Sequence, residues 1–265
     1  MIDKKQLIHD LQAVRKEAPL VHNITNYVVM NNTANALLAI GASPVMAHAV
    51  DEVKDMVAMA SSLVINIGTL SEKWVDAMLL AGEAAQAKRI PIVFDPVGVG
   101  ATSYRNKVAA SIMKNCKPSI IRGNASEIMA LAKENNITKG VDSTVSSDSA
   151  LDAAKRLASE TNTVVIVSGK EDFITDGQIV HSVKNGSSLM AKVTGMGCTA
   201  TAVTGAFAAI NSDLMEASVS AMTVMGVAGE LAAKKASGPG TMQLYFLDAL
   251  YSLTGEVVSK HAKIS

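Results

Sequence analysis

As far as Ser168, short apolar runs alternate with longer amphipathic stretches. The clearest runs are Leu63–Gly68, Pro91–Asp95, Ser119–Arg122 and Thr163–Ser168. Each is rich in β-branched residues and apolar at successive positions, the pattern of a strand covered on both faces. Helix-like stretches such as Glu72–Lys88 and Leu151–Glu160 lie between them. This strand–helix–strand repetition predicts a central, mostly parallel sheet with right-handed crossovers and helices on both faces. After Ser168 the pattern changes. Phe173–Thr175, the turn Asp176–Gly177 and Gln178–Val183 read as a hairpin. From Cys198 onward the spacing predicts helices over Cys198–Ile210, Leu214–Lys235 and Met242–Lys260. No linker, low-complexity tract or tandem repeat interrupts the chain. One domain over residues 1–265 is the simplest organisation.

Composition narrows the class. The 265 residues are 49% hydrophobic but only 3% aromatic, so the core is built from aliphatic side chains and Met. A chain of this length buries enough apolar surface to need no staples. The 24 basic and 24 acidic residues balance, which gives no electrostatic reason to expect nucleic acid or an anionic membrane as partner. No apolar stretch reaches the ~20 residues of a membrane span. With two cysteines and no secretory start, a cytoplasmic, reducing location is expected. The five histidines have no metal-ligand spacing, which argues against zinc.

Ligands of open α/β sheets bind beyond the carboxyl ends of the strands. The residues there are Gly68–Thr69, Asp95–Gly98, Arg122–Asn124 with Glu127, and Ser168–Lys170. A carboxylate, a guanidinium, a hydroxyl and several glycines thus meet on one rim, although only 18% of the chain is charged. A second feature is Thr194-Gly195-Met196-Gly197-Cys198-Thr199, where two glycines permit a sharp turn directly before a helix. The unpaired N–H groups and dipole of such a helix start suit an anion. A transferred phosphoryl group needs that kind of site. Gly195, Gly197 and Ala200 also fit the dinucleotide fingerprint G-x-G-x-x-A. That motif belongs after the first strand of a βαβ unit, however, and the acidic residue near the right spacing, Asp213, sits in an inter-helix turn. A plain packing turn is the remaining alternative. No P-loop sequence is present.

The glycine turn resembles the anion-hole turn of ribokinase-type kinases. Three further segments are more specific: Val21-His22-Asn23-Ile24-Thr25-Asn26-Tyr27 with Gly41–Met46, then Asp95-Pro96-Val97-Gly98, and Ile121-Arg122-Gly123-Asn124-Ala125-Ser126-Glu127. From Leu20 to about Gly240 the chain resembles the hydroxyethylthiazole kinase family. That resemblance implies a ribokinase-like α/β fold and ATP-dependent phosphorylation of the primary hydroxyl of 4-methyl-5-(2-hydroxyethyl)thiazole, in thiamine biosynthesis or salvage. It further implies Mg²⁺, with ATP as co-substrate, and a homotrimer whose active sites lie between subunits. Two mild departures are Met196, where a smaller residue is usual, and Ser168, where Thr is common. A nucleotide-dependent NAD(P)HX dehydratase-like lyase, a kinase for another small alcohol and a non-catalytic binding module are the alternatives.

The resemblance gives Cys198 the role of base. A thiol titrates at about 8.5, and a helix N-terminus can lower that value. The plainer alternative is a small buried Cys packed against Ala200 and Ala202. Asp95 and Glu127 are the expected Mg²⁺ pair, since Mg²⁺ takes one or two carboxylates plus water and phosphate oxygens. Asn124-x-x-Glu127 is also a capping box, and both roles can coexist. Arg122, Ser168 and Gly197 are expected at ATP. A salt bridge is the alternative for Arg122, and a plain strand-end hydroxyl for Ser168. Met46, Gly195 and Asn26 are expected at the alcohol substrate, Met46 by family position alone. Turn formation is the alternative for the polar run Asn23, Thr25 and Asn26. Lys170 is expected to be solvated.

Overall fold

A computed structural model describes residues 4–134 and 147–265. It contains one eight-stranded sheet in the order β2-β1-β3-β4-β5-β6-β7-β8. The strands are β1 (Leu20–Ile24), β2 (Ser43–Val45), β3 (Ser62–Asn66), β4 (Ile92–Asp95), β5 (Ile120–Asn124), β6 (Val164–Ser168), β7 (Asp172–Thr175) and β8 (Val180–Val183). The first six are parallel, and the β7–β8 hairpin joins antiparallel at one edge. Asp176 shapes the hairpin turn by accepting bonds from Gln178 N and Ile179 N, and Gly177 takes φ +97°.

Strand alternation sorts the core into two layers. Val21, Val64 and Val93 face α1 (Lys4–Glu17), α2 (Met30–Ile40), α8 (Met196–Ile210), α9 (Leu214–Ala233) and α10 (Pro239–Ser252). Ile24, Leu63, Ile65 and Phe94 face α3 (Val53–Met59), α4 (Glu72–Lys88), α5 (Ser103–Cys116), α6 (Ala125–Glu134) and α7 (Ser147–Thr161). The period-2 geometry of a strand produces this division, and apolar residues on both faces allow it. Helix α8 is buried over every residue from Thr199 to Ala208. It runs through the interior against the sheet, which is why its sequence lacks a polar face.

One expected helix differs. Met242–Lys260 is two helices, α10 and α11 (Gly255–His261). The chain turns extended at Leu253, and the Thr254 hydroxyl accepts from Val257 N to cap α11. Asp213 caps α9 by accepting from Met215 N and Glu216 N. A local capping role explains that acid, as its place in an inter-helix turn suggested. The strand order reverses between β1 and β3. The crevice beyond their carboxyl ends is the topological switch point of the sheet.

Candidate active site

At that switch point the sheet places a chain of buried amides. Asn26, just past β1, donates from Nδ2 to Asn66 Oδ1 at 2.9 Å. Asn66, the last residue of β3, also accepts from Gly68 N and donates to Asp95 Oδ2 at 2.9 Å. Asp95 ends β4, and its Oδ2 accepts a second bond, 2.7 Å, from Thr201 of α8. These contacts orient both amides without ambiguity: each Nδ2 faces an acceptor and Asn66 Oδ1 faces two donors. Asn26 Nδ2 also points to Cys198 Sγ at 3.5 Å. Asn26, the carboxylate and the thiol therefore belong to one hydrogen-bonded unit. The strand ends had suggested Asp95, and the polar run had suggested Asn26. Asn66 and Thr201 were missed, because one reads as a polar break in an apolar run and the other as one of several hydroxyls in an apolar helix.

The glycine turn lies beside this unit. Gly195 is the N-cap of α8 with φ +88°, a backbone region that favours glycine. A Cβ there would also meet Val29 Cγ1 at 2.8 Å. Gly197 serves a different purpose: a Cβ on it would meet Arg122 Nη1 at 2.8 Å. The guanidinium thus lies against the open N-terminus of α8. Arg122 Nη2 donates to Ser168 Oγ at 2.7 Å, and its buried Nε has no hydrogen-bond partner. Among the described residues no carboxylate lies within ion-pair distance of Arg122. No salt bridge of that kind is seen among the described residues, and Nε is left as a buried donor without a partner. Arg122, Ser168, Gly197, Lys170 and Lys184 line a cavity of about 810 Å³, walled on its apolar side by Met190, Met222 and Met225. Lys170 is exposed on its rim, as expected.

Asp95 is wholly buried, and burial pushes its carboxyl up to about 6; Arg122 and the Thr201 hydroxyl oppose the rise, Glu127 adds to it, and Asn66 opposes it. The Cys198 thiol is also raised. Burial is the largest cause and the Asp95 charge adds to it, while Asn66, Asn26 and Arg122 pull the other way. The lowering that a helix start can bring does not prevail here. The helix start is present, but desolvation disfavours a thiolate and an anionic neighbour disfavours it further. Cys116, the other free thiol, is buried and pushed up to about 12, so it is inert.

Glu127 forms the expected capping box with Asn124: its N–H donates to Asn124 Oδ1, and its Oε2 accepts from Asn124 N at 2.9 Å. Oε1 reaches across to Gly98 N. The acid therefore ties the loop after β4 to the start of α6. A residue that the strand ends did not reveal, Arg105 of α5, ties the same loop to the one after β3. Its guanidinium donates to the carbonyls of Ile67, Val97 and Gly68. Met46 follows the edge strand β2 and is half-buried.

A family profile described as Hydroxyethylthiazole kinase family matches residues 11–256. A hydroxyethylthiazole kinase of Leptospira biflexa is 53% identical over 256 residues, covering 97% of this chain and 96% of the relative. A solved hydroxyethylthiazole kinase structure from Pyrococcus horikoshii superposes with TM-score 0.92 at 42% identity, covering 98% of each chain. A Staphylococcus aureus pyridoxal kinase in complex with AMP-PCP gives TM-score 0.63 at 17% identity, over 80% of this chain and 88% of that one. At that identity the likeness concerns the fold alone, which is ribokinase-like.

Proposed function

The chain belongs to the hydroxyethylthiazole kinase family, and from that premise we propose how its residues share the reaction. The reaction is phosphorylation of hydroxyethylthiazole in thiamine metabolism, with ATP as co-substrate. The observation that carries the division of roles is the hydrogen-bonded unit Asn26–Asn66–Asp95, which meets Cys198 beside the Gly195–Gly197 turn.

ATP occupies the large cavity, with its phosphates toward Arg122, Ser168 and the N–H groups after Gly197. A guanidinium whose Nε has no partner and a helix start are both suited to phosphate oxygens. The thiazole alcohol lies on the opposite side of the turn, between Met46, Asn26 and Gly195. Its primary hydroxyl oxygen forms a bond to the γ-phosphorus, the bridging bond to the β-phosphate breaks, and ADP leaves. Cys198 faces that hydroxyl and takes its proton. Burial raises the thiol and so opposes its ionisation. Positioning and charge therefore supply most of the catalysis, as a loose phosphoryl-transfer transition state permits.

Mg²⁺ fits the carboxylate pair. Asp95 is a desolvated carboxylate that Arg122 offsets only in part, and Glu127 adds negative charge beside it. Hard oxygen donors with room for water and phosphate oxygens are what Mg²⁺ takes. Among the described residues no three His, Cys, Asp or Glu side chains gather as a fuller ligand set. Asp95 and Glu127 would hold the ion, since the single N–H bond that each Glu127 oxygen accepts leaves it a free lone pair. When bound, the ion neutralises phosphate charge and aligns the γ-phosphoryl group.

The same reading makes residues 1–265 one cytoplasmic kinase domain working as a homotrimer with sites between subunits. Tyr27 and Val28, exposed apolar side chains next to Asn26, support a neighbouring chain at the alcohol pocket. No described helix is long and apolar enough to cross a membrane. Sedimentation of the purified protein tests the trimer. ADP release from Mg-ATP across a panel of alcohols tests the reaction. Hydroxyethylthiazole-dependent ADP is expected, and ADP formed only with other alcohols would overturn the substrate.

A further inference from the structure

The chain has a single tryptophan, Trp74, and it joins three segments at the alcohol rim. Its indole is 4% exposed and sits in the first turn of α4, on the core that also holds Ile24, Ile65 and Ile67. Tyr27 packs on it with ring centroids 4.6 Å apart, and His48 with centroids 4.5 Å apart. Tyr27 directly follows Asn26. His48 lies two residues past Met46, and its Nδ1 is 3.4 Å from the Met46 carbonyl. Buried His22 holds the intervening residue through Nε2 and the Ala47 carbonyl at 2.8 Å. Both segments assigned to the alcohol thus rest on one rigid indole, whereas no residue lining the large nucleotide cavity touches it in these contacts.

We propose that Trp74 is a positioning residue for the alcohol substrate, setting Asn26 through Tyr27 and Met46 through His48. This rests on the placement of the thiazole alcohol between Asn26 and Met46. The two ring pairs are tilted, at 41° and 51°, and such aromatic contacts shift an equilibrium by about 2- to 10-fold each. Loss of the indole releases two such pairs together.

The test compares steady-state kinetics of wild type, Trp74→Phe, Trp74→Ala, Tyr27→Ala and His48→Ala with hydroxyethylthiazole and Mg-ATP. The single-ring variants keep the indole in the core and cover the case in which Trp74→Ala does not fold. Each of those two should raise KM for the thiazole about 2- to 10-fold, with KM for ATP within about 2-fold. Trp74→Ala should raise it further, and Trp74→Phe should restore most of the loss. Wild-type tryptophan fluorescence should respond to hydroxyethylthiazole and not to Mg-ATP. A purely structural role would move both KM values together or neither, and either outcome overturns the proposal, as does a silent indole. Absence of thiazole-dependent ADP from wild type overturns the underlying reading instead.

Discussion

Gly197→Ala should separate stability from catalysis, because its cost falls on one movable side chain. The added Cβ would stand 2.8 Å from Arg122 Nη1 and 3.6 Å from Cζ and Nη2. Non-bonded heavy atoms settle at ~3.5–4.0 Å, so the guanidinium tip must retreat by about 0.7–1.2 Å. That retreat strains its 2.7 Å bond to Ser168 Oγ. Position 197 is the second residue of α8 and is not among the glycines with positive φ, so the mid-helix gain of alanine over glycine is an upper bound there. Alanine therefore stabilises the helix by at most ~0.5–1 kcal/mol. An off-rotamer arginine costs ~0.5–1.5 kcal/mol. The two nearly cancel, and the melting temperature should stay within about 4 °C of wild type. Activity has no such compensation, since a displacement of ~1 Å at a positioning group can cost on the order of 10²-fold. Thermal melts and ADP-release kinetics on one preparation read both quantities. A wild-type kcat/KM for ATP would refute the role of Arg122, and a collapsed melting temperature would refute the steric argument.

Gly195→Ala should lower stability and activity together. It places an L-residue at φ +88° for ~1–2 kcal/mol and adds a contact to Val29, so a melting temperature unchanged from wild type would contradict it. Cys198→Ala should lower kcat at least ~10-fold while calorimetric ATP affinity holds; undiminished turnover removes the proton-accepting role. Asp95→Asn should raise the Mg²⁺ concentration needed for half-maximal rate, and an unmoved Mg²⁺ titration would take Asp95 out of the ion's site. Asp172 gives a pH test: burial raises it to about 6, against opposition from Gly169 N and Arg122. A raised carboxyl holds its proton more tightly when folded. Its contribution is complete below about pH 4 and disappears as pH rises through about 6. Relative to Asp172→Asn, wild type should lose up to ~3 kcal/mol between pH 4 and pH 7 in urea melts, and parallel pH profiles would exclude this origin.

The parts of this enzyme visible in its sequence are those that local physics determines. Double-sided apolar runs become strands of the sheet, Asp176–Gly177 becomes the hairpin turn, and Asn124-x-x-Glu127 becomes a capping box. Arg122, Ser168 and Gly197 could be proposed as neighbours because strand ends and helix starts gather at one rim. Asn66, Thr201, Arg105 and Trp74 obey no such rule. Their partners are chosen by the order β2-β1-β3-β4, which brings residues 26, 66 and 95 side by side although they are distant in the chain. The thiol shows the same limit in its sign. A helix start alone would lower Cys198, yet burial and Asp95 raise it. The raised thiol follows from how the site divides its charges. Neutral amides, Asn66 and Asn26, link Asp95 to Cys198, and Arg122 and the Thr201 hydroxyl offset the carboxylate only in part against its burial. The nearest compensating side chain, Arg122, lies against the turn on the cavity side. Burial in such a site opposes ionisation of both the thiol and the carboxylate. Positive charge is concentrated on the cavity side of the turn, at Arg122, Lys170 and Lys184, while the side of Asn26 and Asn66 carries neutral amides.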